Sequence, residues 1–227
     1  MGLFAEALFE TLWPTRCALC DRPGTVLCEQ CRQQLDVLDQ WRACPQCGAA
    51  FGLVQCDHCT PIVSKESRIE LCVSALRYTD NTGALIKTFK DKGEQRLAEH
   101  LSQLLADALP PSWISWAHAI TYVTATTAAK RRRGFDHMEL VARQLAKLCD
   151  KDCLRTLNEP LAKDQRILGR AERRANMKGR FSTCCDISGM RLVLIDDVFT
   201  TGATITEARE ALETAGAHVR CATVARA

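Results

Sequence analysis

Beyond residue 70 the chain alternates between two hydrophobic periodicities. Short apolar runs at Leu71 to Tyr78, Ala119 to Thr124, Arg191 to Ile195 and His218 to Val224 predict strands, and near-continuous runs such as Leu192 to Ile195 fit a sheet covered on both faces. Between them, apolar residues recur at helical spacing over Gly83 to Ala108 (Leu85, Ile86, Phe89, Leu97, Leu101, Leu104, Leu105), Met138 to Cys149 (Leu140, Val141, Leu145, Leu148) and Thr204 to Ala215. Strand and helix in alternation predict an α/β fold, a mostly parallel sheet flanked by crossover helices.

The first 60 residues read differently. Leu3, Phe4, Ala7, Leu8, Leu12 and Trp13 predict a short amphipathic helix over residues 1–14, ended near Pro14. That run is too short, and too interrupted by Glu6 and Glu10, to cross a bilayer, and it lacks the basic start of an export signal. A cytoplasmic location is expected, with peripheral contact at the inner face of the cytoplasmic membrane as the alternative. From Cys17 to Thr60 apolar residues are too sparse for a core, so order there is expected to come from metal. The expected organisation is therefore a helix at 1–14, a cysteine module at 15–62 and an α/β domain at 63–227, in keeping with a length of 227 residues.

Eight of the 14 cysteines form four CxxC pairs, Cys17/Cys20, Cys28/Cys31, Cys44/Cys47 and Cys56/Cys59. Each CxxC turn aims two sulfurs at one point, so eight thiolates suffice for two tetrahedral zinc sites. Sequential pairing closes the shorter loops and is preferred; a crossed arrangement, in which the first and third pairs share an ion, is the alternative. Four-thiolate sites are closed to water and predict structural zinc.

Net charge is +3, but it is unevenly spread. Residues 1–63 hold four arginines against seven acids, a balance of −3, and the remainder holds 26 bases against 20 acids, a balance of +6. The surplus gathers at Lys130 to Arg133 and between Lys163 and Arg180, which includes Arg166, Arg170, Arg173 and Arg174. Such clusters suit a polyanion, either a nucleotide phosphate or nucleic acid.

The chemistry concentrates after the third predicted strand. Val193-Leu194-Ile195 runs into Asp196-Asp197-Val198-Phe199-Thr200-Thr201-Gly202-Ala203-Thr204, followed by a helical pattern. Small residues ahead of a helix let backbone amides converge on a phosphate, where the helix N-terminus also favours an anion. Two adjacent carboxylates beside that anion call for hydroxyls or a hard cation, and a ribose diol with Mg²⁺ offers both.

The string LIDDVFTTGAT resembles the phosphoribosyl pyrophosphate signature of type I phosphoribosyltransferases. The resemblance implies that Asp196 and Asp197 hold the ribose hydroxyls and that Thr200, Thr201, Gly202, Ala203 and Thr204 hold the 5′-phosphate. The eight-cysteine start, Lys130-Arg131-Arg132-Arg133-Gly134-Phe135, Gln165-Arg166-Ile167-Leu168 and the DDVFTTGAT loop also stand in the order found in the ComF competence family. That likeness implies a double zinc ribbon on a phosphoribosyltransferase-like domain, with Arg131, Arg132 and Arg133 on the pyrophosphate side. The chain departs from the family at Asp136-His137, where Asn-Gln is usual, so no amide contact carries over there. Lys90 matches a lysine of the family and is read as a solvated side chain.

Two functions follow. The family likeness implies a factor for DNA uptake in natural transformation that binds phosphoribosyl pyrophosphate with Mg²⁺, contacts single-stranded DNA through Lys130, Arg166, Arg170, Arg173 and Arg174, and meets proteins of the uptake machinery. The alternative is a pentosyl-transferring enzyme of nucleotide or cofactor metabolism with an unknown acceptor. Thr200 stands where purine-salvage relatives carry an acidic base, and a hydroxyl without an activating partner is a poor base near neutral pH, so no catalytic residue is assigned.

Overall fold

The computed structural model describes residues 14–52, 56, 72–160 and 179–227. Residues 1–13 of the expected N-terminal helix, the expected boundary near residue 62, Cys59, and the basic cluster with Arg166, Arg170, Arg173 and Arg174 lie outside the described residues. Five strands, β1 (Cys72–Arg77), β2 (Ala119–Tyr122), β3 (Asp152–Cys153), β4 (Arg191–Phe199) and β5 (His218–Arg226), form one sheet in the order β1-β5-β4-β2-β3. Every pairing in it is parallel, as the alternating pattern predicts.

Around the sheet lie α1 (Glu29–Gln33), α2 (Asp80–Lys90), α3 (Leu97–Ala108), α4 (Pro111–Trp116), α5 (Thr127–Arg133), α6 (His137–Leu148) and α7 (Ala203–Thr214). The single helix expected over Gly83 to Ala108 is two, α2 and α3. Six polar residues and Gly93, spanning Lys90 to Arg96, separate Phe89 from Leu97, and Gly93 at φ 78° turns the chain between them. Without an apolar residue for nearly two turns, that stretch has nothing to hold against the sheet.

β4 explains its own composition. Leu192, Val193, Leu194 and Ile195 are all at most 1% exposed, because successive side chains enter opposite cores. Val193 and Ile195 join Leu85, Leu101, Val141 and Leu145 on one face, while Leu192 and Leu194 join Ile205, Ala208 and Leu212 of α7 on the other. β4 also extends beyond the expected end at Ile195. Asp196, Val198 and Phe199 keep register with Thr223, Ala225 and Arg226 of β5, so both acids sit on the strand.

The cysteine module has packing partners that its composition alone does not suggest. Val26, Leu27 and Leu35 lie in the same apolar cluster as Leu76, Leu97 and Leu101 of the α/β domain. The segment after α1 is bonded to the edge of the sheet, Leu38 N–H to Ala75 O (2.9 Å) and Arg77 N–H to Asp36 O (2.8 Å). Its few apolar residues find a core by borrowing one.

Leu35→Ala should therefore destabilise the whole metal-loaded chain by about 2–5 kcal/mol, the usual range for truncating a buried leucine. Urea unfolding of the α/β domain is the measurement; an unchanged midpoint would mean that the module merely sits beside the domain.

Candidate functional site

The end of β4 and the following loop carry the site. Asp196 is 8% exposed and faces inward, and the loop Thr200 to Gly202 delivers the chain to the N-terminus of α7. Gly202 caps that helix at φ 74°. A Cβ there would lie 2.3 Å from Cζ of Phe199, so the position requires glycine both for its backbone angle and for the ring beneath it. Thr200 and Thr201 are exposed, while Ala203 and Thr204 open the first turn of α7. The residues of the expected phosphate loop thus lie together at a helix N-terminus.

The two acids differ in surroundings. Burial and the neighbouring Asp197 charge push the Asp196 carboxyl well above its usual range, against a hydrogen bond from the Asp197 N–H at 2.9 Å. Burial pushes Asp197 upward as well, but contact with His137 and the charge of Lys90 outweigh it and hold that carboxyl below its usual range. Lys90 Nζ bonds Asp197 Oδ2, His137 Nε2 lies 3.2 Å from the same oxygen, and Val198 N–H donates to Oδ1 at 2.7 Å. The acidic pair therefore carries protein counter-charge of its own, and Lys90 is an ion-pair partner where a solvated side chain was expected.

His137 is the site residue that motif reading passes over. It is 5% exposed, and its Nδ1 lies 3.4 Å from an Arg133 nitrogen. An Nε2–H tautomer satisfies both neighbours, donating to Asp197 and accepting from Arg133. The departure from Asn-Gln at Asp136-His137 was the available signal. Asp136 is equally placed: its carboxylate caps α6 through Met138 N–H (3.2 Å) and accepts from Ala125 N–H (3.0 Å), which holds the turn between β2 and α5.

The stretch Thr124 to Arg133 contains α5, capped by Thr126 and closed by Gly134 at φ 81°. Its four bases have separate environments. Lys130 pairs with Glu159 (2.9 Å) and approaches Asp136 (3.7 Å), and Arg133 is drawn inward between Asp91 and His137. Arg131 and Arg132 are exposed. Between α2 and β4 a groove of about 610 Å³ is lined by Tyr78, Thr79, Lys87, Lys90, Asp197 and Thr200. Its size suits a nucleotide-like molecule.

The cysteines gather as sequential pairing requires. Cys17, Cys20, Cys28 and Cys31 place their sulfurs within 4.8 Å of one another, and among the described residues Cys44, Cys47 and Cys56 do the same. The S···S distances of 3.7 Å (Cys20, Cys28) and 3.6 Å (Cys47, Cys56) are close to the edge of about 3.8 Å that tetrahedral zinc with ~2.3 Å bonds to sulfur would impose. Burial raises the Cys17 thiol, but N–H groups of Cys28, Cys20 and Leu19 outweigh it and bring it down to about 6. The donor sets fit zinc.

Residues 131–227 match the family described as phosphoribosyl transferase domain. With the parallel five-stranded sheet and the β4–α7 loop, this defines the C-terminal part as a phosphoribosyltransferase-like domain. The chain is 27% identical over 216 residues to DNA utilization protein YhgH of Salmonella typhimurium, covering 90% of this chain and 93% of the relative. It is also 27% identical over 201 residues to Competence protein F of Haemophilus influenzae, covering 84% and 85%. The likeness to the ComF competence family read from the motifs thus holds along most of the chain. Among solved structures, orotate phosphoribosyltransferase from Aeropyrum pernix aligns at 21% identity and a TM-score of 0.35, covering 64% of this chain and 63% of that one.

The raised Asp196 carboxyl sets a pH dependence. Above about pH 4 the unfolded residue releases its proton while the native one retains it, so this group costs stability as pH rises. Asp196→Asn, which keeps the shape without the charge, should raise the Tm more at pH 8 than at pH 5, by roughly 2 to 4 °C for each kcal/mol recovered. Equal changes at both pH values would mean that Asp196 titrates like an exposed aspartate.

Proposed function

We propose that the protein binds phosphoribosyl pyrophosphate with Mg²⁺ in the groove beside Asp196 and Asp197, binds single-stranded DNA on its basic and aromatic surface, and serves DNA uptake in natural transformation. The observation that carries this reading is the acidic pair at the end of β4, Asp196 buried and Asp197 half-buried, leading directly into the glycine-capped N-terminus of α7. In it, Asp196 and Asp197 meet the ribose hydroxyls, and Thr200, Thr201, Gly202, Ala203 and Thr204 meet the 5′-phosphate through backbone N–H groups and hydroxyls. Mg²⁺ offsets the charge of the pyrophosphate, and Arg131 and Arg132 add positive potential on that side.

The role in DNA uptake is supported by the relatives named Competence protein F and DNA utilization protein, which match most of the chain. Exposed aromatics suit stacking by bases: Trp41 is 88% and Phe51 64% exposed, and the Arg77 guanidinium lies 5.5 Å from the Phe51 ring centre. Among the described residues no helix is long and apolar enough to cross a membrane. Zinc held by the cysteines is structural in this reading, since closed thiolate sites leave no position for water. Binding without turnover is favoured over pentosyl transfer because Thr200 offers no general base.

Addition of phosphoribosyl pyrophosphate and Mg²⁺ at a hundredfold excess over Kd should raise the Tm by about 5 to 10 °C, and the Asp196→Asn, Asp197→Asn double change should abolish the shift. A shift of equal size in the double variant would remove the ligand from this loop. For DNA, replacing Arg131 and Arg132 by alanine should lower the salt dependence of single-strand binding by about 1.4 in log–log slope, two phosphate contacts at ~0.7 each. Trp41→Ala should weaken binding by about 5-fold or more without changing that slope. Retention of affinity and slope by both variants would exclude this surface.

A further inference from the structure

We propose that Arg226 is a positioning residue coupling the Cys44/Cys47/Cys56 cluster to the phosphate loop, so that metal in the cluster and an anion on the loop strengthen each other's binding. This rests on the loop's proposed role and concerns its control.

Arg226 is 4% exposed at the end of β5. A buried guanidinium needs acceptors, and no aspartate or glutamate pairs with it among the described residues. Instead its Nε donates to the carbonyl of Cys47 (3.2 Å), and one terminal nitrogen donates to the carbonyls of Phe199 (3.2 Å) and Thr200 (3.1 Å) and to an oxygen of Ala227. The other terminal nitrogen lies 3.9 Å from the Cys47 sulfur. One rigid fork thus joins the backbone of a cysteine in the cluster to the backbone at which the phosphate loop begins.

A second contact runs alongside. The Arg226 guanidinium stacks 4.4 Å from the Phe199 ring centre, and Phe199 packs against Cys44, Cys47 and Cys56. The same ring fills the space in which a Gly202 side chain would begin. Much of the remaining space between cluster and loop is a cavity of about 220 Å³ lined by Gln46, Cys47, Thr201, Arg209 and Arg226. The connection therefore passes through two side chains, Arg226 and Phe199.

A metal ion fixes the Cys44–Cys47 turn and with it the Cys47 carbonyl; an anion on the loop fixes Thr200 and Gly202. Each event orders the partner groups on which the other depends, and such linkage is reciprocal.

The test uses the zinc-loaded full chain and follows zinc release to a chromogenic chelator with and without phosphoribosyl pyrophosphate and Mg²⁺. Release of one ion should slow about 5-fold or more with ligand while the other is unaffected. Arg226→Met, which keeps an apolar side chain against Phe199 but loses the charge and the donors, should retain two zinc ions, bind ligand more weakly, and lose the ligand effect on release. Arg226→Lys, with one charged nitrogen in place of the fork, should fall between. Ligand that raises the Tm of the unaltered chain yet leaves both release phases unchanged overturns the coupling alone, and this arm requires no variant. A ligand effect that survives Arg226→Met overturns the role of Arg226. Ligand that does not bind at all overturns the loop assignment and the coupling with it.

Discussion

The structure turns on one half-buried oxygen. Asp197 Oδ2 receives Lys90 from the end of α2 and faces His137 from the start of α6, while the other carboxylate oxygen accepts the Val198 N–H of its own strand. Two adjacent acids could not be carried into the interior on a strand without such partners, since an unpaired charge in a low dielectric is costly. Solving that problem brings three elements to one point. The ends of α2 and α6 converge on the carboxyl end of β4, where an open parallel sheet places its ligand crevice.

The same demand spreads outward along a chain of contacts. His137 meets Arg133, Arg133 meets Asp91 beside Lys90, and Asp136 holds both the start of α6 and the turn after β2. Bases that look alike in the sequence are thereby divided, Lys130 and Arg133 into internal ties and Arg131 and Arg132 into free surface charge. A cluster of four like charges need not repel when two of them are answered by acids of the fold.

The cysteine module follows a related logic. Too few apolar residues are available for a core of its own, so Val26, Leu27 and Leu35 are spent on the face of the α/β domain, and the strand edge supplies hydrogen bonds. The second cluster instead rests on Phe199 and Arg226, next to the candidate phosphate loop. Both clusters are thus built against the domain that carries the candidate site.

Much was legible from residues alone because the signals were local. The apolar run of β4, the glycine before α7, the two acids between them and the CxxC spacing each derive from backbone geometry or from the reach of a few bonds, and sequence distance records such constraints directly. Lys90, His137 and Arg226 were not legible in this way. Lys90 stands 107 positions from the oxygen it meets, His137 stands 60, and Arg226 stands 179 from Cys47. Their partners are chosen by the order of strands in the sheet and by the need to answer buried charge, and neither leaves a periodic trace. The amino-acid sequence determined the four main strands, the loop and the spacing of the cysteine pairs; the tertiary structure alone decided which charges meet, because charges far apart along the chain pair only after the sheet has brought them together.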